Sequence, residues 1–375
     1  MNILLLANND VGLYRFRREL LEALLGEHAV ILALPEGRFS QELARMGCRV
    51  EPVALDRRGT NPLRDFGLFL RYRALIRKIK PDLALTYTVK PNVYGGLACR
   101  LSRVPVIANV TGLGTAVENG GPLRLLVMGL HRLGLKKARC VFFQNRHNQE
   151  TMVSGGAVRG RTRLIPGSGV NLTENALEPY PEEGAGVRFL FIGRVMRNKG
   201  VEELLSAMAR VKERHPGVSL TLVGEPDEDY ESRLRGLESG GHLRYLGYRR
   251  DVHAQIAAAH CLVLPTYHEG MSNVLLEAAS AGRPVIASRI PGCVEAFDEG
   301  VSGFGCEPRD SDSLLAAMER LIALPHAQRA EMGRRGRLKV EREFDRSLVV
   351  GAYMEEIDSI REEIGSTWTS SMKSW

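Results

Sequence analysis

Short apolar runs alternate with amphipathic stretches along the whole chain. In the first half these runs predict β-strands at residues 2–7, 29–34, 48–53, 82–86, 104–110, 140–144 and 162–165. Stretches with helical spacing lie between them, as at residues 14–25, 40–46 and 62–79. This pattern predicts an α/β fold built on a doubly wound parallel sheet, with ligands beyond the carboxyl ends of the strands.

The second half repeats the alternation. Strands are predicted at residues 187–192, 219–223, 243–246, 261–265 and 284–288. A helical region follows over about residues 312–363, with breaks near Pro325 and Phe344. We therefore expect a second α/β domain of similar size.

A stretch poor in apolar residues separates the two halves. Residues 155–186 contain several glycines and prolines, and we interpret the later part as an inter-domain linker. The predicted domains are residues 1–178 and 187–345. The polar end at residues 365–375, which holds both tryptophans, predicts a loose tail.

Composition is that of an ordinary globular protein with room for two domains: 375 residues, 44% apolar and 25% charged. No apolar run reaches the roughly eighteen residues that a spanning helix needs. The first residues predict a strand rather than a secretory signal. The six cysteines include no C-x-x-C pair, which favours reduced thiols in a cytoplasmic protein and argues against a metal cluster.

Charge is divided unevenly along the chain. Residues 1–165 hold 26 Lys and Arg against 12 Asp and Glu, a net of +14, whereas the remainder holds 25 against 32, a net of −7. A basic half suggests contact with a polyanion or an anionic membrane. Nucleic acid ranks below membrane, because the arginines are not interleaved with aromatic residues in a nucleic-acid motif.

Two predicted helices, residues 63–79 and 122–138, combine basic residues with many apolar ones. Such a helix can lie on an anionic bilayer, where each basic residue contributes about 1 kcal/mol. It can equally pack its apolar side against the protein core and keep its charged side in water. We favour membrane contact for residues 122–138, whose charges surround a wide apolar face, and leave both interpretations open for residues 63–79.

The segment T-Y-H-E-G-M-S-N-V-L-L-E, residues 266–277, carries the strongest chemical signal. It follows a predicted strand and opens a helix, with Gly270 freeing the turn and Ser272 or Asn273 available as the cap. A helix start of this kind attracts phosphate. We expect Glu269 on the loop and Glu277 inside the helix, each binding a different part of one long ligand. The alternative is two solvated glutamates.

A second turn, G-R-V-M-R-N-K-G at residues 193–200, follows the first strand of the second half. It lacks the G-x-x-x-x-G-K-[ST] pattern of a P-loop. Arg194 and Lys199 on one side and the helix start at residues 270–273 on the other could clasp a diphosphate. Charge-assisted hydrogen bonds of this kind contribute about 1.5–3 kcal/mol each.

The turn after the first strand, residues 8–13, has one glycine, Gly12, and is not a dinucleotide fingerprint. Arg15, Arg17 and Arg18 follow in the opening helical turns, where cations oppose the helix dipole. A bound phosphate would offset that cost, but three solvated arginines explain the pattern equally well. Two other strand ends lead into residues 86–95 and 109–114, which contain the polar candidates Lys90 and Thr111.

These motifs resemble those of the family-four retaining nucleotide-sugar glycosyltransferases, which have the GT-B architecture of two facing Rossmann-like domains. The matching segments are F-I-G-R-V-M-R-N-K-G at 191–200, G-Y-R-R-D-V at 247–252, P-T-Y-H-E-G-M-S-N-V-L-L-E at 265–277 and G-R-P-V-I at 282–286. The resemblance covers nearly the whole chain. Residues 86–95 and 110–114 also resemble a branch that builds capsule and other surface polysaccharides on polyprenyl-diphosphate carriers.

The resemblance implies catalytic roles for Glu269, Lys199 and Arg194. Arg194 and Lys199 would hold the donor diphosphate and stabilise charge as the nucleotide leaves. Glu269 would bind the sugar hydroxyls and Glu277 the ribose hydroxyls. Tyr245 and Tyr248 would flank the base. The further donor-binding positions would be Gly12, Gly193, Gly270, Met271, Ser272 and Asn273.

The resemblance also implies an acceptor site at Arg15, Arg18, Lys90 and Thr111, with no metal and no cofactor, since the nucleotide sugar is a substrate. Residues 346–364 would form a helix that crosses back onto the first domain. Relatives often place a His or Asp of the first domain near the reacting carbon. His131 lies on an apolar helix, so no residue is assigned that role.

The implied reaction moves a hexose or N-acetylhexosamine, with retention, from a UDP-sugar to a polyprenyl-diphosphate-linked saccharide. The enzyme would sit peripherally on the inner face of the plasma membrane. The alternative keeps the fold and donor but uses a soluble glycan or small-molecule acceptor. The missing G-x-G-x-x-G argues against a dinucleotide oxidoreductase, and the intact charged set argues against an inactive membrane scaffold.

Overall fold

The computed structural model describes residues 1–56, 59, 61–114, 117, 121–184, 186–227 and 229–372. The chain forms two compact units. The first contains Met1–Ser168 together with the chain from Arg346 onward, and the second contains Gly169–Asp345. Each unit is built on its own parallel sheet, which confirms the predicted α/β class with two doubly wound sheets.

The first sheet has seven strands. They are β1 (Asn2–Leu6), β2 (Ala29–Leu34), β3 (Arg49–Pro52), β4 (Leu83–Tyr87), β5 (Val106–Val110), β6 (Cys140–Phe143) and β7 (Thr162–Leu164). Their spatial order is β3-β2-β1-β4-β5-β6-β7, and neighbouring strands pair in parallel. Most are continuous apolar runs because helices cover both faces of the sheet.

Helices connect these strands. They span Asp10–Phe16, Arg18–Leu25, Ser40–Arg45, Pro62–Ile79, Gly96–Leu101, Gly121–Leu135 and Arg146–Ser154, and a π-helical turn covers Pro91–Gly95. The order of strands reverses between β1 and β4, so the crevice between their carboxyl ends is the place where this topology binds ligands.

The second sheet has six strands, β8 (Arg188–Ile192), β9 (Ser219–Val223), β10 (Arg244–Tyr245), β11 (Cys261–Leu264), β12 (Val285–Ser288) and β13 (Gly303–Cys306). Their order is β10-β9-β8-β11-β12-β13, again parallel. Its helices span Val201–Arg214, Glu231–Ser239, His253–Ala258, Asn273–Ser280, Ser311–Ala323 and His326–Glu343, with 3-10 turns at Arg197–Lys199 and Val294–Ala296.

The helix Arg346–Met372 returns the chain to the first unit. Tyr353 and Ile357 are fully buried in the core of that unit, beside side chains of the first sheet. At the start of the helix, Arg346 Nη1 lies 2.8 Å from both carboxylate oxygens of Glu19. The structure continues this helix through residues 365–372, where the sequence predicted a loose tail. Extending a helix costs far less than starting one, and residues 373–375 lie outside the described residues.

The boundary between the units falls at Gly169, earlier than the predicted end of the first domain at residue 178. Val170 N donates to Phe344 O at 2.8 Å, and Glu178 N donates to Ala281 O at 3.2 Å. The buried guanidinium of Arg283 also donates to the carbonyls of Glu178 and Pro179. These bonds tie the predicted linker to the second unit.

One further prediction of local structure was wrong, and one strand was missed. The predicted helix 14–25 is two helices, separated at Arg17, which has φ −137° and a buried side chain lying 5.5 Å above the Tyr87 ring. The strand β13 was missed because its sequence, G-F-G-C, has two glycines and no apolar run. Gly303 packs so closely that a Cβ there would lie 2.4 Å from Val285 O.

Candidate active site

The loops that follow β8 and β11 meet at the carboxyl edge of the second sheet. Gly200 ends the 3-10 turn with φ +71°, and a Cβ there would lie 1.9 Å from Pro265 O. Tyr267 N donates to Asn198 O at 3.0 Å. Glycine is therefore required at position 200, and this contact sets the two loops side by side.

Lys199 and Glu269 face each other across this contact. The Nζ of Lys199 donates to Oε1 of Glu269. Their side chains are 19% and 15% exposed, so the pair is shielded from bulk water yet open to a ligand. Charges in such partly buried places interact more strongly than on an open surface. The structure thus joins two residues that the resemblance assigned to different parts of one donor, Lys199 to the diphosphate and Glu269 to the sugar.

Arg194 lies on the same loop as Lys199 but contacts a different carboxylate. Its Nη1 donates to Asp227 Oδ2 at 2.5 Å, on the loop after β9, and its side chain is half-exposed. Val195 N, next in the chain, donates to Glu225 O at 2.9 Å. Arg194 and Lys199 therefore hold carboxylate oxygens from two different loops. Phosphate oxygens accept charge-assisted hydrogen bonds of the same kind.

The helix Asn273–Ser280 begins directly after the Glu269 loop. Ser272 occupies the N-cap position in an extended conformation, as predicted, although its hydroxyl makes no capping bond. Its backbone N–H donates to Gly292 O at 2.9 Å instead. Glu277 is the fifth residue of the helix, and Glu269 lies on the loop, as predicted. The positive end of the helix dipole thus lies beside the Lys199–Glu269 pair.

Two sets of contacts fix the backbone of Gly270 and Met271. The side chain of Met271 is buried in the core of the second unit. Gly292, on the loop after β12, has φ +86°, and a Cβ there would lie 2.7 Å from Gly270 O. Gly292 N donates to Glu295 Oε2 at 2.7 Å. Sequence reasoning missed this supporting loop, because no local pattern pairs residues 292–295 with residues 269–272.

A cluster around Tyr267 extends the site toward β13. Tyr267 donates to Glu203 Oε1 at 2.7 Å, and the Arg309 guanidinium lies 4.8 Å from its ring centroid. Burial raises the pKa of Tyr267 to about 12. Burial, helped by the charge of Arg309, lowers the pKa of His268, which keeps its imidazole neutral at pH 7. Arg309 was missed with β13, the strand it follows.

The tyrosines expected to flank a base differ in their surroundings. Tyr245 is buried on β10, and its hydroxyl donates to Gly224 O at 3.1 Å. Its ring packs 4.9 Å from the Arg235 guanidinium, so it is a core side chain rather than a platform for a base. Tyr248 is half-buried on the loop beyond. Gly193 contacts the next loop closely, because a Cβ on Gly224 would lie 1.8 Å from Gly193 O.

In the first unit, the predicted turn around Gly12 is the start of the helix Asp10–Phe16. Asn9 caps that helix, and its Oδ1 accepts from Gly12 N at 2.7 Å. The carboxylate of Glu22 accepts from Arg18 Nε at 3.0 Å, and Arg15 lies 6.0 Å from the Phe39 ring centroid. Each of the two candidate arginines thus has a protein neighbour of its own.

Lys90 and Thr111 occupy neighbouring strand ends, beyond β4 and β5. Lys90 Nζ lies 2.5 Å from Asp65 Oδ1, and Tyr94 donates to Asp65 Oδ2 at 3.1 Å. This largely buried ion pair joins the π-helical turn to the helix Pro62–Ile79. Lys90 therefore has a structural partner. Thr111 is half-buried directly after β5.

His131 lies in the interior of the first unit. Its side chain is fully buried on the helix Gly121–Leu135, with Nδ1 2.9 Å from Val127 O. Burial lowers the pKa of His131, so the ring is neutral at pH 7. This placement agrees with leaving His131 out of the site.

Several large apolar side chains of the first unit are exposed on its two basic helices. Leu63 is 81% exposed and Leu125 is 76% exposed, and Phe66, Leu70, Leu123 and Leu126 are also exposed. The helix beginning at Pro62 and the helix beginning at Gly121 both start at the carboxyl edge of the first sheet, since each follows a parallel strand. Within the described part of the chain, no helix is long and apolar enough to cross a bilayer.

Two family models match the chain, one in each unit. Residues 2–145 match the model described as glycosyl transferase 4-like, and residues 186–323 match glycosyl transferases group 1. The chain is 26% identical over 340 residues to the N,N'-diacetylbacillosaminyl-diphospho-undecaprenol alpha-1,3-N-acetylgalactosaminyltransferase of Campylobacter jejuni, covering 86% of this chain and 89% of that protein.

A second relative, the glycogen synthase of Mycobacterium tuberculosis, is 34% identical over 171 residues, which cover 44% of this chain and 40% of that protein. Among solved structures, Anabaena HepE in complex with UDP-glucose superposes with a TM-score of 0.76 at 21% identity, covering 98% of this chain and all of that one. At this level of identity the superposition concerns the fold alone.

Proposed function

Because the chain belongs to the family-four glycosyltransferases of GT-B architecture, we propose that it moves a hexose or N-acetylhexosamine from a UDP-sugar to a polyprenyl-diphosphate-linked saccharide. The transfer retains the configuration of the sugar and serves the assembly of a surface polysaccharide or glycan. The contact between Lys199 and Glu269 supports this proposal, since a cation able to hold phosphate and a carboxylate able to accept from sugar hydroxyls meet at a single point.

In the proposed complex, the donor diphosphate replaces carboxylate oxygens as the partner of Lys199 and Arg194. The dipole of the helix Asn273–Ser280 adds partial positive charge at the same place. These groups stabilise the negative charge that develops as UDP leaves. The cationic side chains then do the task for which other transferases use a metal, so we propose a reaction independent of divalent ions.

Glu269, freed from Lys199 by the diphosphate, accepts hydrogen bonds from hydroxyls of the sugar. Glu277 accepts from hydroxyls of the ribose, and the neutral imidazole of His268 lies beside Glu269 in the chain. A long ligand of this kind needs several fixed groups along one crevice. The loops after β8 and β11 and the helix Asn273–Ser280 supply these groups at the edge of one sheet.

The Campylobacter relative supports the choice of acceptor, because its name gives a diphospho-undecaprenol-linked acceptor and the match covers most of both chains. We also propose that the first unit meets an anionic membrane through the helix Gly121–Leu135, where Leu123, Leu125 and Leu126 are exposed. The enzyme would then be peripheral on the inner face of the plasma membrane. An amphipathic face of this kind binds bilayers by apolar burial and charge.

The partial likeness of the chain to a glycogen synthase favours the alternative, a soluble glycan or small molecule as acceptor with the same donor. A panel of nucleotide sugars screened by thermal shift tests the donor first, since a ligand that binds only the native state raises its stability. Release of UDP is then measured with undecaprenyl-diphosphate-linked oligosaccharides and with soluble glycans, each with and without EDTA. No shift with any nucleotide sugar, together with no UDP release, refutes the proposal.

A further inference from the structure

A cavity of about 390 Å³ lies in the second unit, at the edge of the sheet opposite to the candidate active site. Val187, Val218 and His260 line it, and these residues directly precede β8, β9 and β11. Because the three strands are parallel, the cavity lies at their amino ends. Its volume is within the range of small-molecule sites. The proposed sugar transfer makes no use of this cavity.

Backbone contacts hold the wall of this cavity in place. The segment that leads into β8 packs on the turn before β9, where a Cβ on Gly186 would lie 2.3 Å from Gly217 O. On the other side, His260 N donates to Arg188 O at 2.9 Å. The wall is thus formed before any ligand arrives, and binding does not have to order it.

Two arginines at the cavity carry charge that no carboxylate balances. Arg329 lines the cavity, and its Nε is buried with no hydrogen-bond partner among the described residues. Arg188 donates from Nε to Ala258 O at 2.8 Å, and a carbonyl does not neutralise a guanidinium. Within the described part of the chain, neither arginine pairs with a carboxylate. Arg214 also lines the cavity, but it donates to Glu319. The cavity therefore favours an anionic ligand.

His260 shows that these two charges act on the same place. Its side chain is buried and lies at the cavity. Burial lowers the pKa of His260 to about 4, and the charges of Arg188 and Arg329 add to that effect. The ring is therefore neutral at pH 7 and does not compete with the arginines for an anion. Glu183, a carboxylate on this wall, is exposed and can turn into water.

We propose that this cavity binds a small organic molecule carrying a phosphate monoester, at a site separate from the donor site. Such a phosphate carries a charge of about −1.5 to −2 at pH 7 and offers three strong acceptor oxygens. The guanidinium groups of Arg188 and Arg329 bind it through charge-assisted hydrogen bonds. The cavity is larger than a bare phosphate ion, and Val218 and Ile322 provide apolar wall for a carbon skeleton. The proposal does not depend on the sugar transfer.

Calorimetric titration of the full chain with ribose 5-phosphate tests this site, with inorganic phosphate and ribose as separate arms. UDP is present at saturation throughout, so that the proposed donor site is occupied. We expect both phosphates to bind, with ribose 5-phosphate the tighter of the two, and ribose not to bind. Absence of binding by both phosphates overturns the proposal, and so does binding of ribose as tight as that of ribose 5-phosphate.

Replacing the unbalanced arginine should remove the binding without harming the fold. Arg329→Gln should weaken binding of ribose 5-phosphate roughly tenfold or more, because a charge-assisted hydrogen bond is lost. The thermal midpoint without ligand should stay equal or rise, since the variant removes a partly buried charge that has no partner. Arg335→Gln changes an exposed arginine of the same helix that pairs with Glu331, so it should bind ribose 5-phosphate as the unaltered chain does.

Gly184→Asp tests the role of charge by fixing a carboxylate at the cavity. Beyond its chain neighbours, the atom nearest to a Cβ on Gly184 is Arg188 Nη1, at 3.9 Å, so the substitution has room. It should raise the thermal midpoint and weaken binding of ribose 5-phosphate roughly tenfold. Gly184→Asn has the same size without the charge and should keep most of the binding.

Three results of these variants would overturn the proposal. The first is binding of ribose 5-phosphate by Arg329→Gln as tight as that of the unaltered chain. The second is an equal loss in Gly184→Asp and Gly184→Asn, which would show that bulk and not charge is responsible. The third is loss of binding in Lys199→Ala, which would place ribose 5-phosphate in the donor site.

Discussion

Lys199 donates a hydrogen bond to Glu269, a residue 70 positions further along the chain. The loops that carry them follow β8 and β11, which are neighbours in the sheet. Parallel strands have their carboxyl ends at one edge of the sheet, so the loops after β8 and β11 lie side by side and Lys199 can contact Glu269. The chemistry proposed for the site depends on it.

Replacing either member of this pair should remove most turnover. Lys199→Ala and Glu269→Ala should each lower the rate of UDP release roughly 100- to 1,000-fold, the cost of losing one preorganised charge-stabilising group. Circular dichroism should show an intact fold. The control is Lys212→Ala, a half-buried lysine of the same unit whose Nζ donates to Gly241 O at 2.6 Å. Unchanged rates in both site variants would end the assignment of this pair.

Gly200→Ala should lower the free energy of unfolding of the second unit by more than the strain of a positive φ angle alone. Gly241→Ala is the matched control, because Gly241 has φ +70° but open space around its would-be Cβ, whereas Gly200 has φ +71° and faces Pro265 O. The control should lose about 1–2 kcal/mol from left-handed strain alone. Gly200→Ala should lose about 1–3 kcal/mol more from overlap. Urea denaturation measures both, and equal losses would contradict the close loop contact.

Acid should destabilise the second unit through His260. This side chain is buried, and its Nδ1 accepts from Arg188 N at 3.0 Å. Burial lowers the pKa of His260 to about 4 from its ordinary 6.5. The unfolded chain therefore binds a proton first, and stability is lost as the pH falls from about 6.5 toward 4, by at most about 3 kcal/mol.

His260→Asn keeps an acceptor for the Arg188 amide but removes the titrating group. The thermal midpoint of this variant should fall less steeply between pH 6.5 and pH 4 than that of the unaltered chain. Parallel slopes for the two proteins would show that another group causes the acid loss.

Membrane contact should depend on the exposed leucines of the helix Gly121–Leu135. Leu125→Glu with Leu126→Glu should reduce co-sedimentation with anionic vesicles at least tenfold, since it removes apolar burial and adds repulsion. Leu177→Glu with Leu338→Glu changes two exposed leucines of the second unit and should have little effect. Raised salt should weaken binding of the unaltered chain. Equal binding by both double variants would refute this surface.

The apolar runs were sufficient to predict most strands, because a strand buried on both faces must be apolar throughout. β2 and β9 have the predicted bounds, as does the helix Pro62–Ile79. β13 was missed because two of its four residues are glycines: Gly303 packs against the backbone of Val285 and Gly305 against the side chain of Arg289, and neither gives a hydrophobic signal.

The sequence predicted the parts of the candidate site that are encoded in continuous motifs. Residue types and spacing were enough to predict ligand-binding loops at residues 193–200 and 266–277. The burial of Tyr245 and the support given by Gly292 could not be predicted, because both depend on which loops become neighbours in the folded sheet. Arg309 was missed for the same reason, since it follows a strand with no hydrophobic run.

The second unit is inserted into the first. Residues 1–168 lack the helix beginning at Arg346, which supplies Tyr353 and Ile357 to their core. During synthesis on the ribosome, the second unit is complete before that helix has been made. The core of the amino-terminal unit therefore stays incomplete, with apolar side chains uncovered, until the helix beginning at Arg346 has been synthesised. Nascent chains stalled near residue 345 should therefore stay bound to chaperones longest.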